Sequence, residues 1–145
     1  MTASSQHDDC RPDQEIVTVR PTETVAGLNR LNYFIGVSGK TTAAKGLSMN
    51  IVVIPAGGAA EPHYHRGYES AIYVLKGRIK TKYGAGLKRE VINEEGDFVY
   101  LPPGLPHQPV NLSATEAALA IVARNDPGEE ERVVPYDPHK AGGSL

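Results

Sequence analysis

Short runs of β-branched, aliphatic and aromatic residues recur along the chain at intervals of roughly 8 to 12 residues. Residues that favour turns, mostly glycine and proline, separate almost every pair of runs. This spacing predicts many short strands joined by tight turns, and therefore an all-β fold. The predicted strands cover residues 16–19, 31–35, 47–54, 70–75, 78–83, 89–92, 98–101 and 117–123.

The pattern within the runs indicates how the sheet is buried. Residues 78–83 alternate strictly between polar and apolar, which is typical of a strand with one solvated face. Residues 51–54 are continuously apolar, which favours a strand covered on both faces. The one competing helical stretch, residues 113–120, is rich in alanine but continues into Ile121 and Val122 without a stop signal. We therefore predict a loop followed by a strand there.

The periodic signal is confined to residues 16–125. Residues 1–15 and 126–145 are polar or rich in proline and glycine, so we predict a flexible leader and a C-terminal tail. A chain of 145 residues has the usual size of one domain. We expect a single barrel with one core.

Composition restricts the cellular compartment and the classes of partner that we expect for this protein. The formal net charge of -2 favours neither nucleic acid nor an anionic membrane surface, and no apolar run is long enough to span a bilayer. Cys10 is the one cysteine, so an intrachain disulfide and a thiolate zinc knuckle are both excluded. These features predict a cytoplasmic protein without a nucleic-acid or membrane partner.

The first group of candidate ligands is His63, His65 and Glu69, which lies between two predicted strands. The three positions share a parity, so in an extended strand their side chains point to one side. Imidazole nitrogens with a carboxylate oxygen suit one divalent Fe, Mn, Ni, Co, Cu or Zn ion, whereas calcium prefers oxygen ligands alone. Two nearby histidines are also common on a polar surface, so this pair alone does not establish a metal site.

A second segment carries another candidate ligand. Residues 98–101 form a predicted strand, and Pro103 with Gly104 supplies the two central residues of a type II turn. The chain then doubles back and can carry His107 to the end of the barrel where His63 and His65 arrive. Taken alone, this segment is an ordinary hairpin.

Together the two segments resemble the paired signature of the cupin superfamily. The first motif, a glycine followed by His-x-His, a glutamate and a second glycine, extends from Gly57 to Gly77. The second motif, Gly-x5-Pro-x-Gly-x2-His-x3-Asn, matches Gly96 to Asn111 at every fixed position. The resemblance implies a small single-domain cupin with a double-stranded β-helix, or jelly-roll, barrel. It also implies a metal held by histidines and a glutamate.

One departure from the first motif leaves the carboxylate ligand open. Seven residues separate Glu69 from Gly77 where the motif has about six. With the commoner spacing after His65, the carboxylate position falls on Ser70. Strand parity favours Glu69, with a bulge absorbing the additional residue. The alternative is a site of three histidines.

The resemblance implies a metal-dependent protein that acts on a small oxygenated organic molecule, with dioxygenase-type or isomerase/lyase chemistry. A non-catalytic module that binds a small molecule or a metal is the alternative, because fold does not fix function. Tyr73 shares the parity of Glu69 and is the candidate catalytic residue in the cavity wall. Cupins of this size commonly pair, so a homodimer is expected. No GxSxG elbow or phosphate-binding loop occurs in the sequence.

Overall fold

A computed structural model of the protein describes residues 9–128 and 132–141. The strands are β1 (Val25–Ala26), β2 (Asn32–Val37), β3 (Ser48–Ile54), β4 (His63–His65), β5 (Ser70–Lys76), β6 (Arg78–Tyr83), β7 (Arg89–Glu94), β8 (Phe98–Leu101), β9 (His107–Asn111), β10 (Ala118–Arg124) and β11 (Val133–Pro135). Two single-turn helices, α1 (Gly39–Thr42) and α2 (Pro138–Ala141), and a 3-10 turn (Ala85–Leu87) complete the described elements.

The strands form two antiparallel sheets that enclose one core. The first sheet has the order β1-β2-β3-β10-β5-β8, and the second has the order β11-β4-β9-β6-β7. Both sheets contribute to the buried apolar cluster, with Val52, Val74 and Ala120 from the first and Ile79 from the second. The predicted all-β jelly-roll barrel is confirmed.

The strand predictions hold best where alternation or turn residues were strong. Strands β6 and β8 have the predicted bounds, and a loop followed by β10 replaces the competing helix. The strand predicted at residues 16–19 is wrong, because this segment lies outside the barrel and Ile16 is 97% exposed. Strands β4 and β9 were not predicted, since β4 has only three residues and Pro109 interrupts β9. These two strands carry the candidate histidines.

The predicted tail contributes to the barrel wall. Strand β11 pairs with β4, placing Val133 opposite His65 and Pro135 opposite His63. The backbone N–H of Gly86 donates a 2.8 Å hydrogen bond to the hydroxyl of Tyr136, which fixes the chain beyond β11. The barrel therefore extends past the predicted boundary at residue 125.

Parts of both predicted termini cannot be compared with the structure. Residues 1–8 of the leader and residues 129–131 and 142–145 of the tail lie outside the described residues. Residues 9–15 are exposed and form no strand. Within the described ranges, no helix has the length and apolar character needed to cross a membrane.

Candidate metal centre

Three histidines converge inside the barrel. Strand β4 carries His63 and His65, and strand β9 carries His107, which is the register partner of His63. Their ligand atoms all lie within 4.8 Å of one another, and each residue is at most 6% exposed. The structure thus brings together the three histidines that the two sequence motifs singled out, in positions that can bind one metal ion.

The turn between β8 and β9 holds the two ligand-bearing strands together. Gly104 has a φ of 77°, as the second central position of a type II turn requires. Its backbone N–H donates a 2.7 Å hydrogen bond to the carbonyl of His65. The proline–glycine turn therefore docks directly on β4 and sets the approach of His107 to the other two rings.

Hydrogen bonds at Nδ1 orient the rings. The Nδ1 atom of His63 bonds the carbonyl of Glu61, and that of His107 bonds the carbonyl of Leu105 at 2.9 Å. Because a carbonyl only accepts, both Nδ1 atoms carry the proton and both Nε2 lone pairs are left for a metal. The third ring, His65, has its Nδ1 2.9 Å from the hydroxyl of Tyr68.

The site favours uncharged imidazoles. Burial, together with positive charge on His107, His63 and Arg124, lowers the pKa of His65 to about 3. Burial together with His63 lowers the pKa of His107 to about 4. These two rings are therefore neutral at pH 7, in the form that binds metals, so an incoming ion displaces no proton from them.

The donor set fits a borderline divalent ion. Three imidazole nitrogens, on rings that are oriented by hydrogen bonds at their opposite nitrogens, are typical of Zn, Fe, Mn, Co, Ni or Cu sites. A three-histidine site also leaves coordination positions for water or a substrate.

Glu69 does not join the three histidines. It is exposed, and its side chain hydrogen-bonds Tyr100 on the outer surface. The chain turns after His65 at Gly67, which has a φ of 86°, so the parity of an extended strand is not carried across. Ser70 is the inward residue instead, 4% exposed and lining the cavity. This corrects the expectation that Glu69 completes the ligand set, and the three-histidine alternative describes the group.

Tyr73 also lies elsewhere than expected. On β5 the side chains that line the cavity are Ser70, Ile72 and Val74, so Tyr73 points outward. Its ring packs edge-on against Phe98, with the centroids 4.7 Å apart. This corrects the expectation that Tyr73 forms part of the cavity wall as a catalytic residue. As for Glu69, the turn at Gly67 interrupts the alternation that relates these positions to His65.

The histidines open on an apolar cavity of about 160 Å³. Aliphatic side chains dominate its wall, and among the described lining residues there is no aspartate, glutamate, lysine or arginine. Tyr83, the register partner of His107, lines the cavity as a phenol on the metal side. Sequence analysis missed this residue, although the strict alternation of β6 places it on the face that carries Ile79.

Two further buried side chains near the centre were not anticipated. Tyr68 and Arg124 are each 3% exposed, and the guanidinium carbon of Arg124 lies 5.8 Å from the centre of the Tyr68 ring. The sequence holds a signal for Arg124, because it continues the inward series Ala118, Ala120 and Val122 on β10. It holds none for Tyr68, which lies in the irregular segment between β4 and β5.

Comparisons with known proteins agree with this architecture. The family described as "Cupin domain" matches residues 50–123, half of the chain. A germin-like protein (subfamily T member 3) of Arabidopsis thaliana is 34% identical over 84 residues, which is 56% of this chain but only 37% of the relative. A structure of a cupin 2 conserved barrel domain protein from Salinispora arenicola is 24% identical, with 77% of this chain and 91% of that one aligned at a TM-score of 0.63.

Bacillus subtilis oxalate decarboxylase, a protein with Mn(II) centres, also shares the fold. It is 17% identical, and the alignment covers 90% of this chain and 36% of that one at a TM-score of 0.64. At this identity the likeness concerns the barrel alone. With the family match over half of the sequence, the paired motifs and the barrel itself, the chain belongs to the cupin superfamily.

Proposed function

We propose that this cupin is a metal-dependent enzyme that acts on a small oxygenated organic molecule. The observation that carries the proposal is the set of three buried histidines, with ring orientations fixed at Nδ1, at the wall of a largely apolar cavity. A divalent ion bound there supplies Lewis acidity or a redox couple. The chain itself supplies three imidazole ligands, a largely apolar wall, and a volume that limits the substrate to a small molecule.

Dioxygenase-type chemistry fits this cavity better than isomerase or lyase chemistry. The described lining offers no carboxylate or amine to move a proton, and Tyr83 and Tyr33 are its phenols. Tyr33 already accepts a 2.7 Å hydrogen bond from the Asn29 amide. An oxygenase needs chiefly a metal and a dry cavity, whereas an isomerase or lyase needs a positioned acid or base. A non-catalytic binding module is the alternative, because a cavity without an acid or base also suits simple binding.

Oxygen consumption tests the proposal. Protein loaded anaerobically with Fe(II) or Mn(II) would be mixed with small phenols, enols and 2-oxo acids, and oxygen uptake and products would be followed together. We expect uptake that depends on both the metal and one substrate class, and that His107→Ala abolishes it. Glu69→Gln is the matched control, since Glu69 lies outside the centre. Ligand binding without uptake or product would instead identify a binding module.

A homodimer is part of the proposal. Strand β8 is an edge of the first sheet, and its outer face exposes Phe98 by 83% and Tyr100 by 62%. Exposed aromatic side chains on an edge strand are typical of a surface that another chain covers. Phe98→Lys should convert a dimer to a monomer in sedimentation velocity. Ile92→Lys, at an exposed position of the other sheet, should leave the dimer intact. A monomeric wild type would refute the dimer.

The proposed cellular compartment is inferred from the amino-acid composition. With Cys10 as the one cysteine, the fold needs no oxidising environment, and we retain the cytoplasm as the proposed location.

A further inference from the structure

The cavity beside the histidines lies between the two sheets. The second sheet carries the three histidines on β4 and β9, and the first sheet contributes aliphatic side chains of β3, β5 and β10. In the register of the first sheet, Ala120 lies between Val52 and Val74, and all three line the cavity. The small side chain of Ala120 leaves space at the centre of this wall. A molecule in the cavity therefore has the metal centre at one end and hydrocarbon at the other.

The volume of the cavity limits the ligand to about the size of one six-membered ring. The cavity measures about 160 Å³. An apolar cavity of about 150 Å³ in a protein holds one benzene molecule. A ligand with roughly six to nine non-hydrogen atoms therefore fills the space.

The polar side chains of the wall carry no charge. The amide nitrogen of Asn29 donates a 2.7 Å hydrogen bond to the hydroxyl of Tyr33, and its oxygen accepts one from the backbone N–H of Leu31. Within the described ranges, no acidic side chain and no lysine or arginine lines the cavity. A charged group of the ligand away from the metal would lose its water without gaining an opposite charge, which is costly. The part of the ligand that faces the first sheet should therefore be uncharged and apolar.

The uncharged wall also favours a hydroxyl over a carboxylate as the group that binds the metal. A carboxylate carries its charge on two oxygens and forms its strongest hydrogen bonds with arginine and lysine, which the described wall does not contain. A phenol or an enol is neutral in water at pH 7, so it enters an apolar cavity with no charge to desolvate. Its oxygen can then occupy a coordination position that three histidines leave open.

We propose that the substrate class of this cupin is a small phenol or enol about the size of one ring, with its oxygens toward the three histidines and an apolar far end against the first sheet. The inference rests on the metal centre of the proposed function and specifies its ligand. Oxalate, a dicarboxylate without an apolar part, is the poorer match.

Calorimetric titration of the Zn(II)-loaded protein in the absence of oxygen tests this assignment. The probe is 4-methylcatechol, and its polar counterpart of the same shape is 1,2,4-benzenetriol, which has a hydroxyl in place of the methyl group. The methylcatechol should bind at least about 10-fold more tightly, because the additional hydroxyl of the triol would be buried against hydrocarbon. Zinc has no redox chemistry, so the titration measures binding and not turnover.

Ala120→Leu tests whether the ligand occupies the apolar end of the cavity. The larger side chain fills the space between Val52 and Val74, so it should weaken binding of 4-methylcatechol about 10-fold with zinc content unchanged. Ala123→Leu is the matched control, since Ala123 lies on the outer face of the same strand. This control should bind the probe as the wild type does.

A second variant keeps the test decisive if Ala120→Leu does not fold. Val91 lines the cavity on the edge strand β7 and is 40% exposed, so Val91→Lys adds an ammonium at the open side without burying it. The wild type should bind 3,4-dihydroxybenzoate, which is charged at its far end, at least about 10-fold more weakly than 4-methylcatechol. Val91→Lys should strengthen binding of the benzoate about 3- to 5-fold. Ile92→Lys, at the adjacent position outside the cavity, should not.

Three results would overturn the assignment and leave the metal centre standing. They are equal binding of 4-methylcatechol and the triol to the wild type, unchanged binding of 4-methylcatechol to a folded Ala120→Leu variant, and tighter binding of 3,4-dihydroxybenzoate than of 4-methylcatechol to the wild type. A wild type that binds no zinc would overturn the metal centre and the assignment with it.

Discussion

Replacing His107 with alanine should lower the affinity of the protein for a divalent ion by at least about 100-fold. Loss of a hydrogen-bond partner behind a metal ligand already costs 10- to 100-fold in comparable sites, so loss of the ligand itself must cost at least as much. His107 comes from a different strand than His63 and His65, and without it the remaining two nitrogens belong to β4 alone.

Competition titration with a chromophoric chelator, together with elemental analysis of untagged protein, measures this effect. Tyr68→Phe should give an intermediate loss of about 10-fold, because it removes the hydroxyl next to Nδ1 of His65 but keeps the ring. Glu69→Gln should bind metal as the wild type does. A loss in Glu69→Gln equal to that in His107→Ala would place the carboxylate in the centre after all, and a metal-free wild type that resists reconstitution would refute the centre.

The sequence was sufficient for the barrel and for the three histidines because both depend on local patterns. Strict alternation defines β6, and a proline–glycine turn defines the end of β8 and the reversal that delivers His107. The second motif also predicts a structural role for Asn111, its last residue. Its amide nitrogen donates to the carbonyls of Ile54, Pro55 and Glu116, and it thereby holds the loop before β10.

The sequence did not predict the direction of a side chain where that direction depends on a turn of the backbone rather than on the alternation within one strand. Parity predicts the face of a residue only while the backbone stays extended, and the turn at Gly67 reverses it for Glu69 and Tyr73. Arg124 shows a second limit. Its inward parity was readable, but its position beside the histidines depends on the pairing of β10 with β5, which no local pattern specifies.

The metal-free protein should lose stability steeply as the pH falls below 6.5. Unfolded histidines take up protons near pH 6.5, whereas in the folded state His107 does so only near pH 4 and His65 only near pH 3. Between these limits the unfolded state binds more protons, so the free energy of unfolding decreases with falling pH. The contribution of the two neutral rings to stability is fully present above pH 6.5. At pH 4, proton uptake by the unfolded chain at His65 and at His107 has each lowered the free energy of unfolding by on the order of 3 kcal/mol. Such a loss is large against the 5 to 15 kcal/mol typical of small domains.

Denaturant titrations of metal-free protein at several pH values between 7 and 4 measure this slope. Protonation of carboxylates also lowers stability in acid, but that contribution is common to all variants and cancels in a comparison. His107→Gln, which cannot titrate, should flatten the curve by about 1.4 kcal/mol per pH unit between 6.5 and 4. His139→Gln, which replaces an exposed histidine on α2, is the matched control. Parallel curves for the wild type and His107→Gln would contradict the neutral, buried state of the ring. Bound zinc should extend the pH-dependent loss of the wild type below pH 4, because a proton on the ligand nitrogen of His65 or His107 competes with the ion.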